Sequence, residues 1–263
     1  MRAREDGVVD LVPPPPSEPR ELRGIDCDVN GALYGLYWDP VAVARIPVEG
    51  PRACWGWVPP FLPQRIVGQK HRGGVYVLGG EPGGAVCIAR VSESGQALGW
   101  YQTGLRAPHW GQWHADCDAG GDLLLAFAPP PLRVWRIRPD GECTVAWESS
   151  VAAPGGQTHF DDTAYQIGDS IPVVVLELRW SPTQNLLWLG YHELDAQGRV
   201  RFGLIDLGRK VERHTLHLPC TPIAGLGSSV SFDSVGRLCW LSWSLLPSPC
   251  LQAFWACLPE ASP

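Results

Sequence analysis

Three stretches of the chain share one pattern of apolar and polar positions. Val43-Ala44-Arg45-Ile46, Ile88-Ala89-Arg90-Val91 and Val134-Trp135-Arg136-Ile137 each place an arginine between apolar residues and reach a glycine four positions later, at Gly50, Gly95 and Gly141. A tryptophan follows each glycine, at Trp55, Trp100 and Trp147. The arginines stand 45 and 46 residues apart. A fixed spacing in this range, built from short runs with the two-residue period of strands, predicts a repeated β unit.

Each repeat divides into four predicted strands. The first gives 22–28, 32–38, 41–48 and 53–58; the second gives 65–70, 74–78, 85–91 and 97–102; the third gives 112–118, 122–127, 132–138 and 143–147. A more divergent fourth repeat gives 173–180, 185–192, 200–206 and 211–216. The fifth gives 229–233, 237–243 and 251–257, and only six residues follow Cys257, too few for an outer strand. A spare strand, Gly7-Val8-Val9-Asp10-Leu11-Val12, precedes the prolines 13–16. The pattern therefore predicts an all-β, single-domain, five-bladed β-propeller of four-stranded antiparallel blades over 1–263, its ring closed by strand 7–12. Closure removes the strand edges that template aggregation. The blades fall at about 21–60, 64–102, 110–148, 172–217 and 226–258, with 13–20 a Pro-rich connector and 149–171 a loop inserted at the rim. Six blades is the alternative, if that insertion hides strands.

The turns after the inner strands support this alignment. Asp28-Val29-Asn30-Gly31, Asp118-Ala119-Gly120-Gly121 and Asp233-Ser234-Val235-Gly236 share Asp-x-x-Gly, which suits a type I turn whose carboxylate caps backbone N–H groups. These aspartates read as structural, and the recurring tryptophans as packing between repeats. The stretch from His114 to Trp147, with its Asp-Cys-Asp-x-x-Gly turn, Leu-Leu-Leu-Ala-Phe strand and Val-Trp-Arg-Ile-Arg-Pro-Asp-Gly hairpin, resembles one blade of the NHL-repeat and gluconolactonase-type propellers. That resemblance implies a propeller fold and is nearly silent on activity, because the fold hosts many functions.

Composition narrows the function classes. A net charge of −6, with lysine only at Lys70 and Lys210, argues against nucleic acid, which needs basic stripes to displace counterions. No run approaches the roughly 18 apolar residues of a membrane span. The start Met1-Arg2-Ala3-Arg4-Glu5-Asp6 has no apolar signal core, so a soluble, cytoplasmic protein is expected. Nine cysteines without a Cys-x-x-Cys pair read as small buried hydrophobes in a reducing compartment.

Two loops interrupt the repeat, and such loops on a rigid scaffold are where binding groups concentrate. The first, 103–113, carries His109, Trp110 and Trp113 and leads into His114 and Asp116; the second, 149–171, carries His159, Asp161, Asp162 and Tyr165. Imidazole and carboxylate in these loops are ligand types for a divalent cation, although the spacing is generic and no particular metal or cofactor follows from it. Acids also stand on predicted inner strands. Asp26 and Asp116 lie two residues before their turn aspartates, and Glu177 interrupts an apolar run. This trio resembles that of the arabinanase-type five-bladed glycosidases. The resemblance implies Asp26 as general base, Asp116 as orienting carboxylate and Glu177 as general acid, with two carboxyls roughly 6.5–9.5 Å apart for inversion or about 5 Å for retention. The gluconolactonase-type resemblance implies instead a metal held by inner-strand acids, where this chain has Trp110 and Gly111. A lectin-like propeller, with sugars held on Trp faces, is a further alternative.

No reaction signature is complete. The sequence reading is therefore a non-catalytic scaffold for protein partners or a ligand, as part of a larger assembly, with a glycosidase- or lactonase-like hydrolase as the enzyme alternative.

Overall fold

The computed structural model describes residues 22–38, 41–46, 53–56, 61–81, 83–106, 113–127, 133–148, 159–160, 165–166, 174–181, 186–194, 200–206, 211–218, 230–232, 237–244 and 250–256. Segment 7–12, the connector 13–20 and the turn at Asp233 lie outside them, so the closing strand is a sequence expectation only.

Every regular element among the described residues is a strand. The first sheet runs β1 (Leu22–Cys27), β2 (Leu33–Trp38), β3 (Val41–Ile46), β4 (Ala53–Gly56); the second runs β5 (Pro63–Gly68), β6 (Val75–Gly79), β7 (Ala85–Val91), β8 (Ala97–Arg106). The third runs β9 (Trp113–Cys117), β10 (Leu123–Phe127), β11 (Arg133–Ile137), β12 (Cys143–Glu148). A two-stranded piece follows, β13 (His159–Phe160) with β14 (Tyr165–Gln166). The fourth sheet is β15 (Val174–Ser181), β16 (Leu186–Leu194), β17 (Val200–Asp206), β18 (Val211–Leu218), and the last has three strands, β19 (Val230–Phe232), β20 (Leu238–Ser244), β21 (Cys250–Ala256). In every sheet the strand order follows the sequence. The strands anticipated from the pattern between residues 22 and 257 are present, displaced by a few residues at their ends. The hairpin β13–β14 is an addition, falling where the sequence suggested a structureless loop.

The chain divides into two compact units, Met1–Leu124 with Arg136–Thr144, and Leu125–Trp135 with Val145–Pro263. In the first unit the turns explain why the repeat is legible. The Asp28 N–H bonds the Ala32 carbonyl and the Gly31 N–H bonds the Asp28 carbonyl, while Asp28 Oδ1 accepts the N–H groups of Asn30 (2.9 Å) and Ala32 (3.0 Å). Asp118 repeats this with Gly120 (2.9 Å) and Asp122 (3.0 Å). The fourth residue of each turn takes a positive φ, 74° at Gly31 and 92° at Gly121, a conformation that costs glycine nothing. The repeated arginine also has a role in the third sheet, where Arg136 lies 3.5 Å from Asp118 Oδ2, tying the third strand to the inner turn.

Alternation along the strands sends opposite faces to different layers. Tyr34, Leu36 and Val43 of the first sheet meet Ile66, Val75 and Val77 of the second in one apolar cluster, whereas Tyr37, Ala42 and Ala44 form a separate cluster. Trp100 packs against the inter-sheet cluster, its ring 6.3 Å from that of Phe61. This is the packing role anticipated for the recurring tryptophans.

Candidate functional site

The first unit brings three consecutive inner strands, β1, β5 and β9, side by side. Asp26 is on the first of them. Its Oδ1 accepts the N–H of Cys27 at 2.9 Å, and its Oδ2 accepts the N–H of Gly68 on β5, also at 2.9 Å. The carboxylate thus bridges two sheets. Gly68 allows the approach because it has no side chain: a Cβ there would lie 1.8 Å from the Cys27 carbonyl oxygen. The turn aspartate next along the chain also reaches across, with Asp28 Oδ2 accepting the Gly74 N–H at 2.8 Å and the Tyr34 hydroxyl at 3.2 Å. The Val29 N–H bonds the Gln69 carbonyl at 2.9 Å. Lys70 completes the junction: its Nζ donates to the Cys27 carbonyl at 3.1 Å and stands 3.9 Å from Asp26 Oδ1.

Asp116 on β9 is buried and repeats half of this arrangement, with Oδ1 accepting the N–H of Cys117 at 2.8 Å. In the second sheet Val67, fully buried, fills the place two residues before the turn, and Gln69 takes the turn position. The seam between the second and third sheets is made differently. The Tyr76 hydroxyl donates to the Gly121 carbonyl at 3.0 Å and the Tyr101 hydroxyl to the Arg138 carbonyl at 3.3 Å. The His71 ring lies over Gly121, where an added Cβ would be 2.6 Å from it.

Burial sets the titration of these groups. It pushes the Cys117 thiol up to about 12, helped by Asp116 and Asp118 and opposed by the Lys70 backbone N–H. A thiol so placed carries almost no thiolate at neutral pH and is no nucleophile. Burial also raises the Asp122 carboxyl, with Asp118 adding to the shift and Arg136 opposing it. His71 is lowered by burial and by Arg72, against the pull of Asp118 and Asp122.

The remaining residues anticipated from sequence distribute as follows. Trp113 and His114 are buried on β9 beside Asp116. His159 and Tyr165 lie on the hairpin strands β13 and β14, where His159 pairs with Gln166 and Phe160 with Tyr165. Glu177 is on β15, paired with Gly190 just after an irregularity in the ladder. The ladder of β1 has an irregularity too, before Gly24, and counted from it Arg179 rather than Glu177 corresponds to Asp26. His109, Trp110, Asp161 and Asp162 lie outside the described residues. No three His, Cys, Asp or Glu residues among the described ones are grouped closely enough to hold a metal ion. Lys70 and Gly68 were missed by sequence reasoning; the departure of the second turn from Asp-x-x-Gly was the available signal for Lys70.

No protein-family model matches the chain, and no curated protein matches it. Solved structures do. Virginiamycin B lyase from Staphylococcus aureus is 14% identical, with a TM-score of 0.51 over 92% of this chain and 72% of that one. A protein of unknown function from Bacteroides caccae is 14% identical, with a TM-score of 0.53 over 88% and 74%. A streptogramin B lyase is 13% identical, with a TM-score of 0.52 over 94% and 73%. The chain has a β-propeller fold. At such identities the likeness bears on the fold alone. The four-stranded antiparallel sheets are the blade-like units of that fold, and β1, β5 and β9, the first strands of three of them, are neighbours. Among the described residues no helix is long and apolar enough to cross a membrane.

Proposed function

We propose that the chain is a five-bladed propeller acting as a non-catalytic scaffold, binding protein partners or a ligand as part of a larger assembly. One observation carries this reading: both oxygens of Asp26, the acid a channel hydrolase would use as its base, accept backbone N–H groups, Oδ1 that of Cys27 on its own strand and Oδ2 that of Gly68 on the neighbouring sheet. A carboxylate with this task has a structural reason to be present, so its appearance on an inner strand no longer asks for a catalytic one.

The five sheets of three or four strands among the described residues support a count of five; the hairpin β13–β14 has only two residues per strand. The last sheet has three described strands, and the spare strand that the sequence pattern suggests at 7–12 would bring it to four, which supports closure of the ring by that segment.

The second reading is enzymatic, a glycosidase- or lactonase-like hydrolase. Its support is that Asp26 and Asp116 recur on inner strands at equivalent positions, and that neighbours of the same fold include lyases. The test is turnover of a panel of nitrophenyl glycosides and lactones by the purified chain, with and without calcium, magnesium or zinc. The scaffold reading expects none. Turnover that disappears in Asp116→Asn or Glu177→Gln, with the variants still folded, would replace it with the hydrolase.

A further inference from the structure

The sequence has two asparagines, Asn30 and Asn185, and Asn30 alone is followed by glycine. Asn30 takes the third place of the first Asp-x-x-Gly turn, where the third sheet has Gly120. The turn is shaped by its other members: Asp28 Oδ1 accepts the N–H groups of Asn30 and Ala32, and Gly31 supplies the positive φ. The Asn30 side chain leaves the turn instead. Its Nδ2 donates to Glu93 Oε2 at 3.4 Å, reaching from the first sheet to the hairpin after β7 in the second. Gly73 makes room for this contact, since a Cβ there would lie 2.6 Å from Glu93 Oε2 and 2.9 Å from Asn30 Nδ2.

An asparagine side chain loses its amide when the next backbone nitrogen attacks the side-chain carbonyl carbon. Glycine hinders this attack least, because it has no side chain and its backbone moves most freely. Asn30 and Gly31 are both exposed, and no atom lies within 4 Å of a Cβ built on Gly31, so solvent reaches the pair. One bond restrains it. The Gly31 N–H donates to the Asp28 carbonyl at 3.0 Å and must be released first, an opening that costs little in an exposed turn.

We propose that Asn30 is a modification site at which the folded chain deamidates without an enzyme. The Gly31 nitrogen gives its proton to solvent hydroxide and bonds to Asn30 Cγ. The Cγ–Nδ2 bond breaks, and the amide leaves as ammonia with a proton from water. Water then opens the succinimide at either carbonyl, to aspartate or to isoaspartate, and nothing is oxidised or reduced. The product loses the donor that met Glu93 and sets a carboxylate in its place, two residues from Asp28. Like charges repel there, so the modification loosens the contact between the first and second sheets.

The full chain is held in mildly alkaline buffer, folded and in urea, and peptide mass spectrometry reads both asparagines over time. The expected result is a gain of one mass unit at Asn30 in both samples, as separable aspartate and isoaspartate products. Asn185, which precedes a leucine, should lag behind it in urea, and Asn30→Gln should abolish the gain at position 30. No gain at Asn30 in the folded chain while the urea sample converts overturns the proposal, because the turn then protects the pair. A product that is aspartate alone overturns the attack by Gly31. For the consequence, Asn30→Asp should lower the urea midpoint, and adding Glu93→Gln should recover it. An Asn30→Asp midpoint equal to that of the parent overturns the loosening.

Discussion

Asp26 Oδ2 accepts the backbone N–H of Gly68 at 2.9 Å, so one side chain of the first blade is hydrogen-bonded to the main chain of the second. Removing it leaves two backbone donors, Cys27 and Gly68, without their acceptor. Hydrogen bonds to charged groups contribute about 1.5–3 kcal/mol, so Asp26→Ala should cost about 2 kcal/mol or more. Asp26→Asn keeps one acceptor oxygen and should cost less. Urea midpoints of the two variants check this ranking; an Asp26→Ala midpoint equal to that of the parent removes the structural role and returns Asp26 to the catalytic candidates.

Gly68 and Gly31 separate two reasons for glycine. At Gly68 an added Cβ meets the Cys27 carbonyl oxygen at 1.8 Å and its carbon at 2.4 Å, both backbone atoms of the neighbouring blade. Relief requires the blades to part, so Gly68→Ala should destabilise by about 3 kcal/mol or more, the range of severe overpacking. At Gly31 no atom lies within 4 Å of the Cβ position, and the cost is the positive φ of 74°, about 1–2 kcal/mol. Thermal melts should rank Gly68→Ala well below Gly31→Ala. The reverse order would mean that the two blades are not in contact at this point.

The fold was legible because its devices repeat. Asp28 and Asp118 cap the same two N–H groups of the same turn, so Asp-x-x-Gly recurs along the chain, and the short apolar runs of strands such as β2 and β6 are visible without neighbours. The site was less legible. Asp26 and Asp116 stood out as inner-strand acids, but an acid that bridges to another blade looks the same in sequence as one that faces a substrate. What distinguishes them is the N–H of Gly68, 42 positions away. Gly68 itself gave no signal, because its requirement comes from the Cys27 carbonyl of a different repeat. The hairpin β13–β14 was missed because strands of two residues are too short to show a period.

His71 gives the seam between the second and third blades a pH dependence of known sign. Burial and Arg72 lower its pKa below the ordinary 6.5, so the folded state prefers the neutral ring. The stability that this preference contributes is complete above the unfolded value of 6.5 and is lost as pH falls from there through the folded value. Relative to the parent, His71→Gln should therefore gain stability as pH drops through this window. Asp118 and Asp122 pull the other way, so the effect is a partial one. Parallel stability curves for parent and variant between about pH 7.5 and 5 would contradict the assigned direction.

The buried thiol of Cys117 offers a test by reactivity. With its pKa near 12, the thiolate fraction at pH 8 is on the order of one in ten thousand, and access is closed as well. In the native protein Cys117 should resist iodoacetamide at pH 8 over hours, and should label promptly once urea exposes β9. Peptide mass spectrometry reads the two conditions separately. Labelling in the native state, with the rest of the blade still protected, would show that β9 opens locally.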